Sequence, residues 1–114
     1  MALQLSITLP NGVTGDYLRI VAVEWNRPAS ISVWKIALYL SEAQANAAPK
    51  YPLAIVAQVR VDGAKFEQYL SNEAIAAAGH NIIAQLYAVT KAEPGAVTII
   101  APVAPFDLSE ATDV

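Results

Sequence analysis

The stretch Tyr17-Leu18-Arg19-Ile20-Val21-Ala22-Val23-Glu24-Trp25-Asn26-Arg27-Pro28-Ala29-Ser30-Ile31-Ser32-Val33-Trp34-Lys35-Ile36-Ala37-Leu38-Tyr39-Leu40 decides the fold class. Two runs rich in β-branched and aromatic residues flank the short connection Asn26–Ser30, the pattern of an antiparallel hairpin. In the first run, Leu18, Ile20 and Ala22 oppose Tyr17, Arg19, Val21, Val23 and Trp25. In the second, Trp34, Ile36, Leu38 and Leu40 share a face with Ser32, against Val33, Lys35, Ala37 and Tyr39. Both sides are partly apolar, so cover is expected on both.

Upstream, Leu3, Leu5, Ile7 and Leu9 alternate with Gln4, Ser6 and Thr8, a half-buried strand closed by the turn Pro10-Asn11-Gly12. Downstream, Ser41–Ala48 is Ala-rich and opens on an N-cap residue; it lacks an apolar face and is expected as an exposed excursion of one or two helical turns. A fourth strand, about Leu53–Val61, alternates Leu53, Ile55, Ala57, Val59 and Val61 on one side, and Asp62-Gly63 closes it. Signals conflict over 64–79, where Phe66, Tyr69, Leu70 and Ile75 have helical spacing. The main helix is expected over Asn81–Lys91, capped by Asn81, with Ile82, Ile83, Leu86, Val89 and Thr90 on the buried face. Pro94-Gly95 stops it, and a fifth strand follows over Val97–Ala101. Pro102 and Pro105 break any further ladder. The expected architecture is α+β: a mostly antiparallel sheet of about five strands with one main amphipathic helix packed on it. It forms a single domain over 1–102, followed by an extended acidic tail over 103–114.

Composition narrows the function. Among 114 residues, 55% are hydrophobic and 15% charged, yet no apolar run approaches the roughly 20 residues of a membrane-spanning helix. The start of the chain has no basic n-region and alternates in polarity, so no signal peptide and no membrane partner are expected. Cysteine is absent, which removes disulfides, thiolate nucleophiles and Cys-ligated zinc. Net charge is −3, and Asp107, Glu110 and Asp113 account for it; positions 1–105 balance seven acids against seven bases. A neutral body offers phosphate backbones no footprint, so nucleic acid is not an expected partner.

No constellation for catalysis stands out. His80 is the only histidine and falls between Gly79 and a helix cap. Neither Asp16 with Glu24 nor Glu67 with Glu73 has the look of a carboxylate pair held across a scissile bond. No Gly-x-Ser-x-Gly elbow or phosphate-binding glycine loop is present, and Asp62-Gly63 lacks the later ligands of a calcium loop. The expectation is a non-enzyme with no catalytic residues, no cofactor and no metal. Protein contact is the expected chemistry, because one helix covers one sheet face and leaves Val21, Val23, Val33, Ala54 and Val56 in want of a partner. Candidate contact residues are Trp25, Arg27, Trp34 and Tyr39 on the hairpin, and Pro105, Phe106, Asp107 and Leu108 on the tail.

Several fragments bear on identity. The chain opens Met1-Ala2-Leu3-Gln4-Leu5, and Gly12-Val13-Thr14-Gly15-Asp16-Tyr17-Leu18-Arg19-Ile20 is similar to Gly-Val-x-x-x-Tyr-Trp-Arg-Ile. Val33 to Ala43 is similar to a strand ending in a Tyr-Leu-x-Glu-Ala step. Asn81-Ile82-Ile83-Ala84-Gln85-Leu86-Tyr87-Ala88 is similar to a helix of the form Asn-Pro-Val-x-Gln-x-Tyr-x-Tyr-Leu-Lys. In this order, over most of residues 1–92, the chain resembles small tail-region structural proteins of tailed bacteriophages. It departs from their pattern at Leu18, where Trp is expected, at Ile82, where Pro is expected, and in a longer C-terminal extension. The resemblance implies a virion-associated structural protein, synthesised in the host cytoplasm. It would pack in multiple copies, a homo-oligomer among other virion proteins, in a tail, baseplate or fibre-attachment region. A capsid decoration or cement protein is the alternative in the same class; a small carbohydrate- or receptor-binding module using Trp25, Trp34 or the 41–52 excursion is the alternative outside it.

Overall fold

A computed structural model describes residues 2–100 and 103–114. The strands are β1 (Leu3–Thr8), β2 (Thr14–Asn26), β3 (Ile31–Tyr39), β4 (Ala54–Asp62), β5 (Val97–Ile99) and β6 (Thr112–Asp113). The helices are α1 (Glu42–Ala47), α2 (Gly63–Leu70), α3 (Asn72–Ala77) and α4 (Ile82–Ala92). All pairings are antiparallel, in the order β5-β4-β3-β2-β1-β6. The α+β class read from the sequence is the class observed. The sheet has six strands rather than about five, and the helical layer is α2 and α4 together rather than one helix.

The hairpin of β2 and β3 forms as its residues dictate, but the faces do not follow simple alternation. Ile20 pairs with Ile36, and the next partner of β3 in β2 is Ala22 with Lys35, so Val21 is an extra residue. On the other side of β3, Ile36 pairs with Ala57 and Ala37 with Ile55, so Val56 is an extra residue in β4. Each bulge flips the alternation and bends its strand. Placed on both sides of Ile36, the two bulges bend the sheet about its central strand. The backbone groups they free are satisfied: Ile20 N–H donates to Tyr87 Oη at 2.8 Å, and Val56 O accepts from Ile100 N–H at 2.9 Å.

The bulges correct the expected faces. Val23 and Trp25, not Ala22, continue the face of Leu18 and Ile20, because they pair with Trp34 and Ser32. In β4, Ala57, Val59 and Val61 face the core while Ile55 moves to the opposite side and is exposed. Val56, expected on the outer face, is fully buried.

The main core gathers Leu3, Ile7 and Leu9 of the β1 region, Leu18, Trp34, Ile36, Leu38 and the inward residues of β4. Phe66 and Leu70 of α2 and Leu86, Tyr87 and Val89 of α4 lie over them. Helix α4 starts where Asn81 predicts, since Ala84 N–H donates to Asn81 Oδ1 at 2.9 Å. Its buried face is rotated from the expected one: Tyr87 joins Leu86, Val89 and Thr90, whereas Ile82 and Ile83 are exposed. The conflicting signals over 64–79 resolve into α2 and α3, the second capped by Ser71 Oγ.

On the other sheet face, Ser41 caps α1 by accepting from Gln44 N–H at 3.2 Å, and Ala45 is buried with Ala2, Tyr17, Ala37 and Tyr39. The 41–48 segment thus forms the short, mostly exposed helical excursion expected, with Ala45 alone seated on that face.

The largest departure lies at residues 103–114. The segment does not leave the domain as an extended arm. Leu108 and Ala111 enter the main core, a 3-10 turn spans Leu108–Glu110, and β6 pairs with β1 through Leu3 with Asp113 and Gln4 with Thr112. Ala2 and Val114 exchange both backbone hydrogen bonds at 3.1 Å. Apolar burial outweighs the segment's acidic character here, because its three acids all stay exposed while Leu108 and Ala111 point inward. Leu108→Ala should cost about 2–4 kcal/mol, the usual range for a core leucine. Urea unfolding should show a lower midpoint at unchanged slope; an unaltered midpoint would show that the segment lies outside the cooperative unit.

Candidate protein-contact surfaces

Three surface features emerge from this frame. The first is an open cleft of about 760 Å³ between α4 and the β1–β6 edge. Helical spacing puts Ala84, Ala88 and Ala92 on its α4 wall with Tyr87 and Lys91, and Ala2, Asp113 and Val114 form the other side. Small side chains at every fourth position keep the wall low. Lys91 Nζ lies 3.4 Å from Asp113 Oδ2 at the rim, so the cleft is apolar and close to neutral. Burial raises the Tyr87 phenol above its ordinary pKa, opposed by the hydrogen bond from Ile20 N–H. Tyr87 therefore serves as a neutral structural acceptor at the β2 bulge.

The second feature is the outer half of β2. β1 pairs only as far along β2 as Leu18, so among the described residues no strand lies against the outer edge of Val21–Asn26. Val21 and Val23 are 41% and 42% exposed there. The third is the end of the sheet where β2 begins and β3 finishes. Val13, Leu40, Leu53 and Ile55 are exposed in this region, and Tyr51 is 77% exposed beside it.

The expected contact residues divide sharply. Trp34 and Tyr39 are 0% and 1% exposed. The Trp34 indole N–H donates to Thr90 Oγ1 at 2.9 Å, and Tyr39 Oη donates to Pro49 O. Leu108 is 3% exposed. These three are interior residues, so their proposed role in partner contact does not hold. Trp25 is half-buried, its ring 5.5 Å from Phe66, with the Arg27 guanidinium 5.4 Å above it. Arg27 Nη1 also donates to Asn72 Oδ1 at 2.6 Å, which ties the hairpin loop to α3. Pro105 and Asp107 are exposed and Phe106 is half-buried. Asp107 accepts from the Ser109 hydroxyl and backbone N–H, which lower its pKa. The structure thus splits the hairpin and tail candidates into core and surface members, and does not bring them together.

Sequence reading missed the cleft. Its signal was the Ala84-Ala88-Ala92 spacing on a helix whose other faces carry large side chains. It also missed a polar cluster in which Glu93 Oε1 accepts from Lys65 Nζ at 2.7 Å and from Tyr69 Oη at 2.9 Å. The hydrogen bond from Lys65, then that from Tyr69, lowers the Glu93 pKa, and the same bonds raise those of Lys65 and Tyr69. This cluster fastens α2 to the end of α4 and has the character of a brace.

Among the described residues, no group of three or more His, Cys, Asp and Glu lies together as a metal site, and no helix is long and apolar enough to cross a membrane. No family model, curated protein or solved structure matches the chain.

Proposed function

We propose that this protein is a non-enzymatic structural component of a tailed-bacteriophage virion, packing in multiple copies in a tail, baseplate or fibre-attachment region. Its partners in this reading are other virion proteins and copies of itself. The observation that carries the proposal is the apolar cleft between α4 and the β1–β6 edge, large enough at about 760 Å³ to seat side chains of a neighbour. Solvent-facing Val21, Val23, Leu40 and Leu53 add apolar area away from it. Apolar surface at several places on one small domain suits packing among neighbours better than capture of one ligand. The order of sequence fragments shared with small tail-region proteins supports the same reading.

Light scattering on the purified chain, over a concentration series, tests it. The wild type should self-associate with rising concentration. Ala88→Arg, which puts a long charged side chain in the cleft, should weaken association at least tenfold, or about 1.4 kcal/mol. A monomer at all concentrations that also fails to bind virion proteins would overturn the proposal. Glycan binding lost on Trp25→Ala would favour a carbohydrate-binding module instead, and binding to capsid shells alone would favour a decoration protein.

A further inference from the structure

We infer that residues 103–114 are an exchangeable segment: in neighbouring copies, the segment of one chain seats on the β1 edge and α4 of the next. This deepens the repeated-copy reading and rests on it.

The receiving site and its occupant are both defined. The site is the outer edge of β1 at Leu3 and Gln4, the core pocket for Leu108 and Ala111, and Lys91 of α4. The occupant is Leu108, Ala111, the short strand β6 and Asp113. These contacts depend only on the segment and the surface that receives it, so a copy's segment would make them equally well.

The start of the segment packs as well, with Val103 and Phe106 partly buried against the main core. Phe106, Asp107 and Leu108 line a small cavity of about 160 Å³ together with Pro94, Val97 and Ile99 of the β5 region. Ala104 and Pro105 are exposed. Val103 N–H donates to Ile100 O at 3.1 Å. The contacts of Leu108, Ala111 and β6 that opening the segment breaks are ones that exchange with a copy restores.

Concentration decides between the closed and exchanged forms. A short tether holds its end at an effective concentration of roughly millimolar. Molecules of 42 × 26 × 24 Å packed in contact reach a local concentration on the order of tens of millimolar. Dilute protein should therefore be closed, and packed protein exchanged.

The absence of cysteine makes a direct test possible. Gln4 and Thr112 pair across β1 and β6 and are both exposed, and cross-strand partners suit disulfide geometry. The double variant Gln4→Cys/Thr112→Cys should form an internal disulfide when oxidised in dilute solution, which verifies the pairing. Gln4→Cys and Thr112→Cys chains of different tag length are then mixed at millimolar concentration and oxidised. The mixed disulfide should exceed either like-with-like disulfide about tenfold, and adding Leu108→Ala to the Thr112→Cys chain should remove the excess. A mixed disulfide only about twice each like-with-like product, as random pairing of two equal populations gives, or no mixed product, would overturn the inference. Light scattering on the wild type separates that result from failure of the wider reading. Multimers without the mixed disulfide reject exchange alone, and a persistent monomer counts against both.

Discussion

Gly15→Ala should destabilise the protein by about 3 kcal/mol, and Gly15→Val should leave little folded protein. A Cβ built at Gly15 would lie 2.6 Å from Tyr39 O, 2.9 Å from Leu38 Cγ and 3.0 Å from Leu53 Cδ1. The first contact is to backbone, which cannot rotate away. Relief would require parting β2 from β3 where Tyr17 pairs with Tyr39, and that would disturb the smaller core beneath α1. Denaturant unfolding of Gly15→Ala measures the cost, with Gly12→Ala as a comparison: no atom lies within 4 Å of a Cβ at Gly12, but its φ of +88° makes any residue there strained. A Gly15→Ala midpoint equal to wild type would mean that the strand ends separate freely, and the close approach would lose its significance.

The second large effect concerns Trp34. Trp34→Ala should cost about 3–5 kcal/mol, because it empties a fully buried site at the centre of the sheet. The more informative variant is Thr90→Val. Thr90 Oγ1 accepts from Trp34 Nε1 and donates to Leu86 O at 2.8 Å, and both residues are fully buried. Valine keeps the shape but leaves the indole N–H without a partner and without water, at a cost of about 1–3 kcal/mol. In a Trp34→Phe background no such donor exists, so the added cost of Thr90→Val should fall below about 1 kcal/mol. An equal penalty in both backgrounds, measured by urea unfolding, would show that the hydrogen bond contributes nothing.

These expectations rest on features that were unevenly legible in the sequence. The strands β1 to β5 and helix α4 followed from local rules, as Leu3–Leu9 alternates, Asn81 caps and Pro94-Gly95 stops a helix, whereas α2, α3 and β6 did not. The faces were harder. Val21 and Val56 are bulged residues with no turn-forming chemistry of their own, so alternation was read straight through them. Only the pairing with β3 reveals the flip, and that is a tertiary fact. Trp25 and Trp34 look alike in sequence, yet one is buried beneath α4 and the other lies half-buried against Phe66 under Arg27. At residues 103–114, prolines and acids suggested an extended tail. The competing signal was the inward pair Leu108 and Ala111, three apart on one side of a short turn. Of the residues expected to meet a partner, Trp34, Tyr39 and Leu108 belong to the interior, because burial is set by pairing and packing that a residue's type does not show.

The pairing of β6 with β1 also has a consequence for the birth of the molecule on the ribosome. Leu3 meets Asp113, 110 positions later (113 − 3). At synthesis rates of roughly 5–20 residues per second, the outer edge of β1 waits on the order of ten seconds for its partner. For that interval β1, paired with β2 on one side, displays an unpaired outer edge, the kind that recruits foreign strands. Gln4, Ser6 and Thr8 are polar but uncharged and offer no electrostatic defence. A chaperone or a sister chain emerging from the same polysome would find its best foothold there, before the final strand arrives to close it.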